Sequence, residues 1–142
     1  MTHHYIGSKQ ILAWPQEKVG KPGYAVKYPD GYISWSPKET FESAYLAQGY
    51  DGTRVPKEMV DEFIIGHEST RMGNHTVVLV KLRNGFTLIE ESACVDPANY
   101  DQALGEKYAM EKAHKRVWNM LGFLLATAKN GIELPKTEMS GQ

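Results

Sequence analysis

The sequence predicts an α+β protein with an antiparallel sheet of four to six strands, a short helix and a long C-terminal helix. Three observations support this class. Several β-rich runs are separated by turn sequences, a short helical segment follows the first runs, and a long stretch of helical periodicity follows the last. Strands followed by a helix are typical of α+β proteins rather than of parallel α/β folds.

The N-terminal residues predict a hairpin. Residues 24–28 and 32–35 are rich in aromatic and β-branched side chains, and Pro29-Asp30-Gly31 between them has the residues of a tight turn. Before them, the apolar residues between Ile6 and Trp14 predict a short strand or a packed arm.

The short helix is expected directly after this hairpin. Ser36 can cap its first turn, Pro37 suits the first helical position, and Glu39 can complete a capping box. The helix is predicted to end near Ala47. Its inner face carries side chains at helical spacing, namely Phe41, Ala44 and Tyr45.

Three further strands are predicted in the middle of the chain. Residues 60–70 are the first, and residues 76–82 form an almost unbroken apolar run, the pattern of a central strand covered on both faces. Asn84-Gly85 is a strong hairpin signal because these residues tolerate positive φ. Residues 86–93 are the returning strand.

The long helix is predicted to start at Asp96-Pro97, with Asn99 and Gln102 as a second capping box, and to end near Lys129 before Asn130-Gly131. At helical spacing, one apolar stripe is expected to pack on the sheet. It consists of Ala103, Met110, Ala113, Val117, Leu121 and Leu124.

The chain length is that of one domain, so residues 1–142 are predicted to form a single domain. Within it, residues 1–50 are the hairpin–helix segment and residues 56–130 contain the sheet and the long helix. Residues 133–142 are expected to form a flexible tail.

Composition limits the class of partner and the compartment. A formal net charge of −1 does not provide the basic field that dominates binding to nucleic acid polymers. No apolar run has the length of a membrane span. Cys94, the single cysteine, cannot form an internal disulfide, which suits a reducing compartment. The protein is therefore expected to be cytoplasmic, with neither a nucleic acid polymer nor a membrane as its partner.

The sequence has no pattern that predicts catalysis. The five histidines and Cys94 lack the spacing of a metal site, and no glycine-rich loop of the phosphate-cradling kind is present. A triad of Ser92, His75 and Asp96 can be assembled on paper, but almost any chain of this length permits one. We expect no cofactor, no metal and no enzymatic activity.

Arg116 is the unusual residue of the long helix. It falls beside Ala109 and Met120, at the edge of the apolar stripe. It can reach water or pair with a carboxylate. It can also hold an anion, because its planar guanidinium matches a phosphate group.

Asn99 and Asp101 lie where that helix is expected to begin. Helix capping alone accounts for these residue types. The alternative is a ligand site, because a helix N-terminus suits phosphate, and amide and carboxylate groups suit ribose hydroxyls or a base edge.

The ordered motifs of the C-terminal half resemble a family of small phage proteins. They are Asn84-Gly85-Phe86, the run Glu91-Ser92-Ala93-Cys94-Val95-Asp96-Pro97-Ala98-Asn99-Tyr100, Gly105-Glu106-Lys107, Val117-Trp118 and Leu121-Gly122-Phe123-Leu124-Leu125. This resemblance covers roughly residues 60–128. Residues 28–38 resemble a segment found at the N-terminus of many short phage proteins.

That family includes the anti-Thoeris sponges, and the resemblance implies a function. Such proteins bind cyclic ADP-ribose isomers and hold them without cleavage, so that a bacterial defence effector stays inactive. Some relatives also bind the cyclic oligonucleotides of CBASS defence. The resemblance further implies a homo-oligomer, a dimer or a hexamer, with pockets between subunits, acting in the cytoplasm of the infected bacterium.

The resemblance also implies which residues bind the ligand. Asn99, Asp101 and Arg116 would hold its polar groups, and Phe86 or Ile89 would pack on the base. One further arginine is expected on this helix in the sponges, and here Lys112, Lys115 or Met120 occupies the neighbouring turns.

Two other functions remain open. The protein could be a phage accessory protein that binds a host protein through the face of its long helix. It could also be a hydrolase of the same cyclic nucleotides.

Overall fold

The computed structural model describes residues 1–134, in which six strands and three α-helices form an α+β protein, as predicted. The strands form two three-stranded antiparallel sheets. Within the described residues the chain divides into two compact units, one made of Met1–Leu46 with residues 123–134, the other of Ala47–Gly122. Most of the predicted tail, residues 135–142, lies outside the described residues.

The first unit contains the predicted hairpin. Strands β2 (Gly23–Lys27) and β3 (Ile33–Pro37) pair antiparallel, and β1 (Leu12–Pro15) adds to the other side of β2. At the turn, Gly31 has a φ of 91° and the Asp30 carboxylate accepts the Tyr32 N–H at 2.9 Å. The turn chemistry of the sequence is confirmed.

Helix α1 (Lys38–Ala44) follows, but its start differs from the prediction. Pro37 is the N-cap and no side chain caps the helix, so the capping box of Ser36 and Glu39 is wrong. The reason is that Ser36 still belongs to β3, where it pairs with Tyr24. On the predicted inner face, the Phe41 ring stacks on Tyr24 at 4.2 Å between ring centres.

The second unit opens with helix α2 (Lys57–Phe63), where the sequence predicted the start of a strand. Val60 and Phe63 are its buried residues, at helical spacing, and Lys57 pairs with Asp61 one turn later at 2.6 Å. These contacts have the spacing of a helix, and the strand begins only after Phe63.

The sheet of this unit consists of β4 (Ile64–Met72), β5 (His75–Leu82) and β6 (Thr87–Ala93), with β5 in the centre. The Asn84-Gly85 turn is confirmed, with Gly85 at a φ of 88°. Strand β5 alternates, because Val78 and Val80 are fully buried whereas Val77 and Leu79 are half-buried. Within the described chain only one face of β5 is covered, so the expectation of two covered faces is wrong.

Helix α3 (Gln102–Asn130) packs on the covered face of this sheet. Its four buried residues are Ala109, Ala113, Val117 and Leu121, of which the last three belong to the predicted stripe of six. Ala103 and Leu124, also predicted in the stripe, are exposed. Gly131, with a φ of 69°, follows the helix as expected.

The start of α3 is later than predicted. Asp96 and Pro97 open a separate 3-10 turn (Pro97–Asn99), in which the Asp96 carboxylate accepts the Ala98 N–H at 2.9 Å. Tyr100 then takes an extended conformation, with a ψ of 130°, that interrupts the helical path. The capping box of Asn99 and Gln102 is therefore wrong.

Gly105 allows α3 to approach the sheet closely at this end. A Cβ atom at Gly105 would overlap the Thr76 hydroxyl and lie 2.8 Å from its Cβ. The Ser92 hydroxyl donates to the Gly105 carbonyl at 2.6 Å.

None of the helices in residues 1–134 is long and apolar enough to cross a membrane.

Candidate functional site

A shallow cleft of about 80 Å³ lies where the 3-10 turn meets the start of α3. Polar side chains line one part of it and Leu104 and Tyr108 of α3 line another. Two of the predicted ligand-binding residues, Asn99 and Asp101, are among the lining residues. The structure thus places both at this cleft.

Tyr100 fixes the chain between these two residues. Its hydroxyl is 2.9 Å from the Thr76 hydroxyl, and the Arg71 guanidinium lies 3.9 Å from the centre of its ring. Both partners come from strands of the sheet. Because Tyr100 is held on both its polar and its aromatic parts, Asn99 and Asp101 on either side of it have a defined position.

Asp101 is the N-cap of α3. Its Oδ1 accepts the Leu104 N–H at 3.1 Å, and its carbonyl accepts the Gly105 N–H at 2.9 Å. The capping role is therefore present, at this aspartate rather than at Asp96 or Asn99. A carboxylate at a helix N-terminus also interacts favourably with the helix dipole.

Asn99 has no comparable structural role. Its backbone N–H donates to the Asp96 carbonyl at 2.9 Å, but across residues 1–134 its side-chain amide has no hydrogen-bond partner. The residue is exposed. An amide that is held in place by its backbone and offers both a donor and an acceptor is suited to a polar ligand.

The Arg116 guanidinium pairs with a carboxylate, one of the two alternatives that the sequence left open. Its Nη1 lies 3.2 Å from Glu90 Oε2 and 3.5 Å from the Ile89 carbonyl oxygen. The Arg116 side chain is 50% exposed and that of Glu90 only 20%. One turn earlier, Lys112 donates to the Glu91 carbonyl at 2.7 Å. Arg116 therefore keeps an exposed portion that could meet an anion.

The predicted site residues form two groups in the chain rather than one. Asp101 and Arg116 are fifteen residues apart on α3, which corresponds to about 22 Å along the helix. Asn99 and Asp101 lie at the cleft, and Lys112, Arg116 and Met120 lie further along α3, where Lys112 and Arg116 contact β6. One chain does not bring the two groups to the same point.

Neither of the two predicted packing residues lines the cleft. The Phe86 and Ile89 side chains are 54% and 62% exposed. Ile89 contacts Arg116 only through its carbonyl, because its side chain points away from α3, opposite to the buried Leu88. Phe86 follows the hairpin turn at the other end of β6 from the cleft.

A polar cluster that sequence reasoning missed joins the second turn of α3 to edge strand β4. Glu106 accepts a hydrogen bond from the Ser69 hydroxyl, and His67 Nε2 lies 2.6 Å from its other oxygen. The Ser69 hydrogen bond, followed by that of His67, holds the pKa of the Glu106 carboxyl below its ordinary value. Alternation along β4 places His67 and Ser69 on one face, which was the available signal.

In the part of the chain that the structure describes, no group of three or more His, Cys, Asp or Glu residues could hold a metal ion. The cysteine of the cleft, Cys94, is half-buried, and its thiol lies 3.6 Å from the Asn74 carbonyl.

The small α+β chain, with a long helix on a three-stranded sheet, falls in a group of phage proteins. Residues 55–129 match the phage protein (N4 Gp49/phage Sf6 gene 66) family. This match spans more than half of the chain, and the chain belongs to that family. It agrees with the resemblance over roughly residues 60–128. No curated protein and no solved structure matched the chain.

Proposed function

We propose that this phage protein binds and sequesters a cyclic nucleotide immune signal without cleaving it. A cyclic ADP-ribose isomer is the first candidate ligand, and the cyclic oligonucleotides of CBASS defence are the second. The observation that carries the proposal is Asn99, whose backbone is held by Asp96 and whose exposed side chain lines the cleft without a hydrogen-bond partner in the described chain.

The chemistry of the cleft supports a ligand that combines phosphate with sugar or base. The first turn of α3 contributes the partial positive charge of a helix of 29 residues. Asn99 adds an amide, and Asp101 adds the carboxylate oxygen that capping leaves over. Leu104 and Tyr108 supply apolar surface, which ligand sites commonly combine with a few polar groups.

The size of the cleft adds an oligomer to the proposal. A volume of about 80 Å³ is below the roughly 300–1,000 Å³ typical of sites that enclose small molecules. In our proposal a second copy of the chain closes the cleft in a dimer or a hexamer. The Lys112 and Arg116 group of one copy would then supply cations to the ligand bound at the cleft of another.

The arrangement of the Ser69, His67 and Glu106 cluster favours holding a ligand over cleaving it. Glu106 lies between Ser69 and His67, so the serine hydroxyl donates to a carboxylate rather than to an imidazole. A nucleophile with its general base would need the serine and the histidine in direct contact.

A heat-release experiment tests the proposal. The purified protein is incubated with cyclic ADP-ribose, the free ligand is measured, and the protein is then denatured by heat. We expect depletion before heating and recovery of intact ligand afterwards, with weaker depletion by Asn99→Ala. Recovery of a converted product would instead show a hydrolase, and no depletion would contradict nucleotide binding altogether.

A second candidate is a phage accessory protein that binds a host protein through α3. The exposure of Leu104 (44%) and Tyr108 (47%) on this helix favours it, because large exposed apolar side chains often mark protein interfaces. Under this candidate, Leu104→Ser would abolish capture of the host protein, and cyclic ADP-ribose would not compete with it.

A further inference from the structure

The aromatic side chains near the cleft differ in how much of their surface is already used. The Arg71 guanidinium covers the Tyr100 ring, and the Tyr100 hydroxyl is hydrogen-bonded to the Thr76 hydroxyl. Tyr108 also lines the cleft, is 47% exposed, and has no hydrogen-bond partner for its hydroxyl among residues 1–134. The ring of Tyr108 is therefore the one that a ligand in the cleft can contact.

The helix places the Tyr108 ring on the same flank as Asp101, which also lines the cleft. Asp101, Leu104 and Tyr108 follow one another at spacings of three and four residues, so they lie along the same flank of α3. Tyr108 is two turns, or about 10 Å, beyond Asp101. One nucleoside-sized ligand can reach both.

Phe86 and Ile89, the residues that the family resemblance implies for packing on the base, do not reach the cleft of their own chain. The part of β6 that meets the start of α3 is Ser92, which donates to the Gly105 carbonyl. Phe86 is six residues before Ser92, which is about 20 Å along an extended chain. The Ile89 side chain points to the opposite face of the sheet.

We propose that Tyr108 is the stacking surface for the base of the bound nucleotide, while Asn99 and Asp101 bind polar groups next to it. This inference rests on the proposed function and adds the residue that selects a ligand with an aromatic base. An aromatic ring suits this role because its face can stack on any base, whichever hydrogen-bonding groups that base carries.

The test is a series of substitutions, with cyclic ADP-ribose as the probe in titration calorimetry. Tyr108→Phe, which keeps the ring, should bind within about twofold of the unchanged protein. Tyr108→Leu, which removes it, should bind about tenfold or more weakly, the effect expected for the loss of one stacking contact. Tyr50→Leu is the matched control, because Tyr50 is fully exposed and outside the cleft.

A second readout separates stacking from a structural effect. The adenine protons of the bound ligand should show upfield ring-current shifts in proton NMR, kept by Tyr108→Phe and lost in Tyr108→Leu. Unchanged affinity and shifts in Tyr108→Leu, or a large loss in Phe86→Leu alone, would overturn the role of Tyr108 while leaving sequestration intact. Absence of binding by the unchanged protein would overturn both proposals.

Discussion

Asp101 combines two roles that substitutions can separate. Asp101→Ala removes the N-cap of α3 and should lower the free energy of unfolding by about 1 kcal/mol. Asp101→Ser keeps a capping oxygen but loses the charge. We expect the serine variant to unfold within a few degrees of the unchanged protein in calorimetry and to bind cyclic ADP-ribose more weakly. Equal binding by both proteins would limit Asp101 to capping.

Arg116 requires a different design, because its partner Glu90 is largely buried. Arg116→Ala should lower the free energy of unfolding by about 1 kcal/mol or less, and Glu90→Gln in the same chain should restore part of it. Ligand binding should stay weak in the double variant if Arg116 contacts phosphate. Lys107→Ala is the matched control, since Lys107 is an exposed cation of the same helix with no ion pair in the described chain.

At this scale the sequence predicted residue types better than their positions. Asp96, Asn99 and Asp101 are all residues that cap helices, and the sequence favoured the first two. The choice depends on Tyr100, whose contacts with Arg71 and Thr76 come from distant parts of the chain. A local pattern contains no information about those contacts.

At the scale of elements, the two glycines of α3 make a matched pair. Gly105→Ala should destabilise the protein by about 1–3 kcal/mol, because its Cβ would overlap Thr76 and push the helix from the sheet. Gly122→Ala meets nothing within 4 Å and should stabilise it by up to about 1 kcal/mol through helix propensity. Chemical denaturation of both variants checks this, and equal effects would contradict the close approach.

The Glu106 cluster predicts a dependence of stability on acid. Because the pKa of Glu106 is lowered in the folded state, its ionised form stabilises the protein above the ordinary carboxyl pKa, and this contribution is lost as the pH falls below about 4. Glu106→Gln should therefore flatten the decrease of the melting temperature between about pH 5 and pH 3.

Glu111→Gln serves as the control for this experiment, because Glu111 is an exposed carboxylate on the same helix with no ion pair in the described chain. The melting temperature of the Glu111→Gln variant should decrease with falling pH in the same way as that of the unchanged protein. An identical pH profile for Glu106→Gln would show that the cluster does not couple α3 to β4.

The elements that the sequence predicted well have strong local signals. Gly31, Gly85 and Gly131 mark turns and a helix end, and all three have positive φ. Residues 60–63 were wrongly predicted as part of a strand because Val60, Phe63, Ile64 and Ile65 form an apolar run that fits either a strand or a helix. Only the burial of Val60 and Phe63 on one helix face decides between the two.

For the whole molecule, the proposed site is incomplete in one chain, since its two groups lie about 22 Å apart along α3. The chain mass is 16.0 kDa, so light scattering should give at least twice this value under conditions in which cyclic ADP-ribose binds. A protein that binds the ligand tightly while remaining a monomer would contradict the shared site.

The sequence was sufficient for the α+β class and for membership of the phage family, because both depend on patterns along the chain. It was insufficient for the grouping of the site residues. Whether Phe86 and Arg116 lie near each other depends on how the strands and helices pack in three dimensions. The register of β6 against α3 is set by contacts such as that of Ser92 with Gly105.

The side chains of α3 that face the sheet increase in size from Gly105 through Ala109 and Ala113 to Val117 and Leu121. This gradient of side-chain size therefore favours a single register of the helix against the sheet. A shift by one turn, about 5.4 Å, would press Ala109 onto Thr76 in one direction and open voids in the other. The size gradient along α3 therefore opposes sliding of the helix, so rearrangement of the proposed ligand site would involve side chains and assembly between copies rather than a shift of α3.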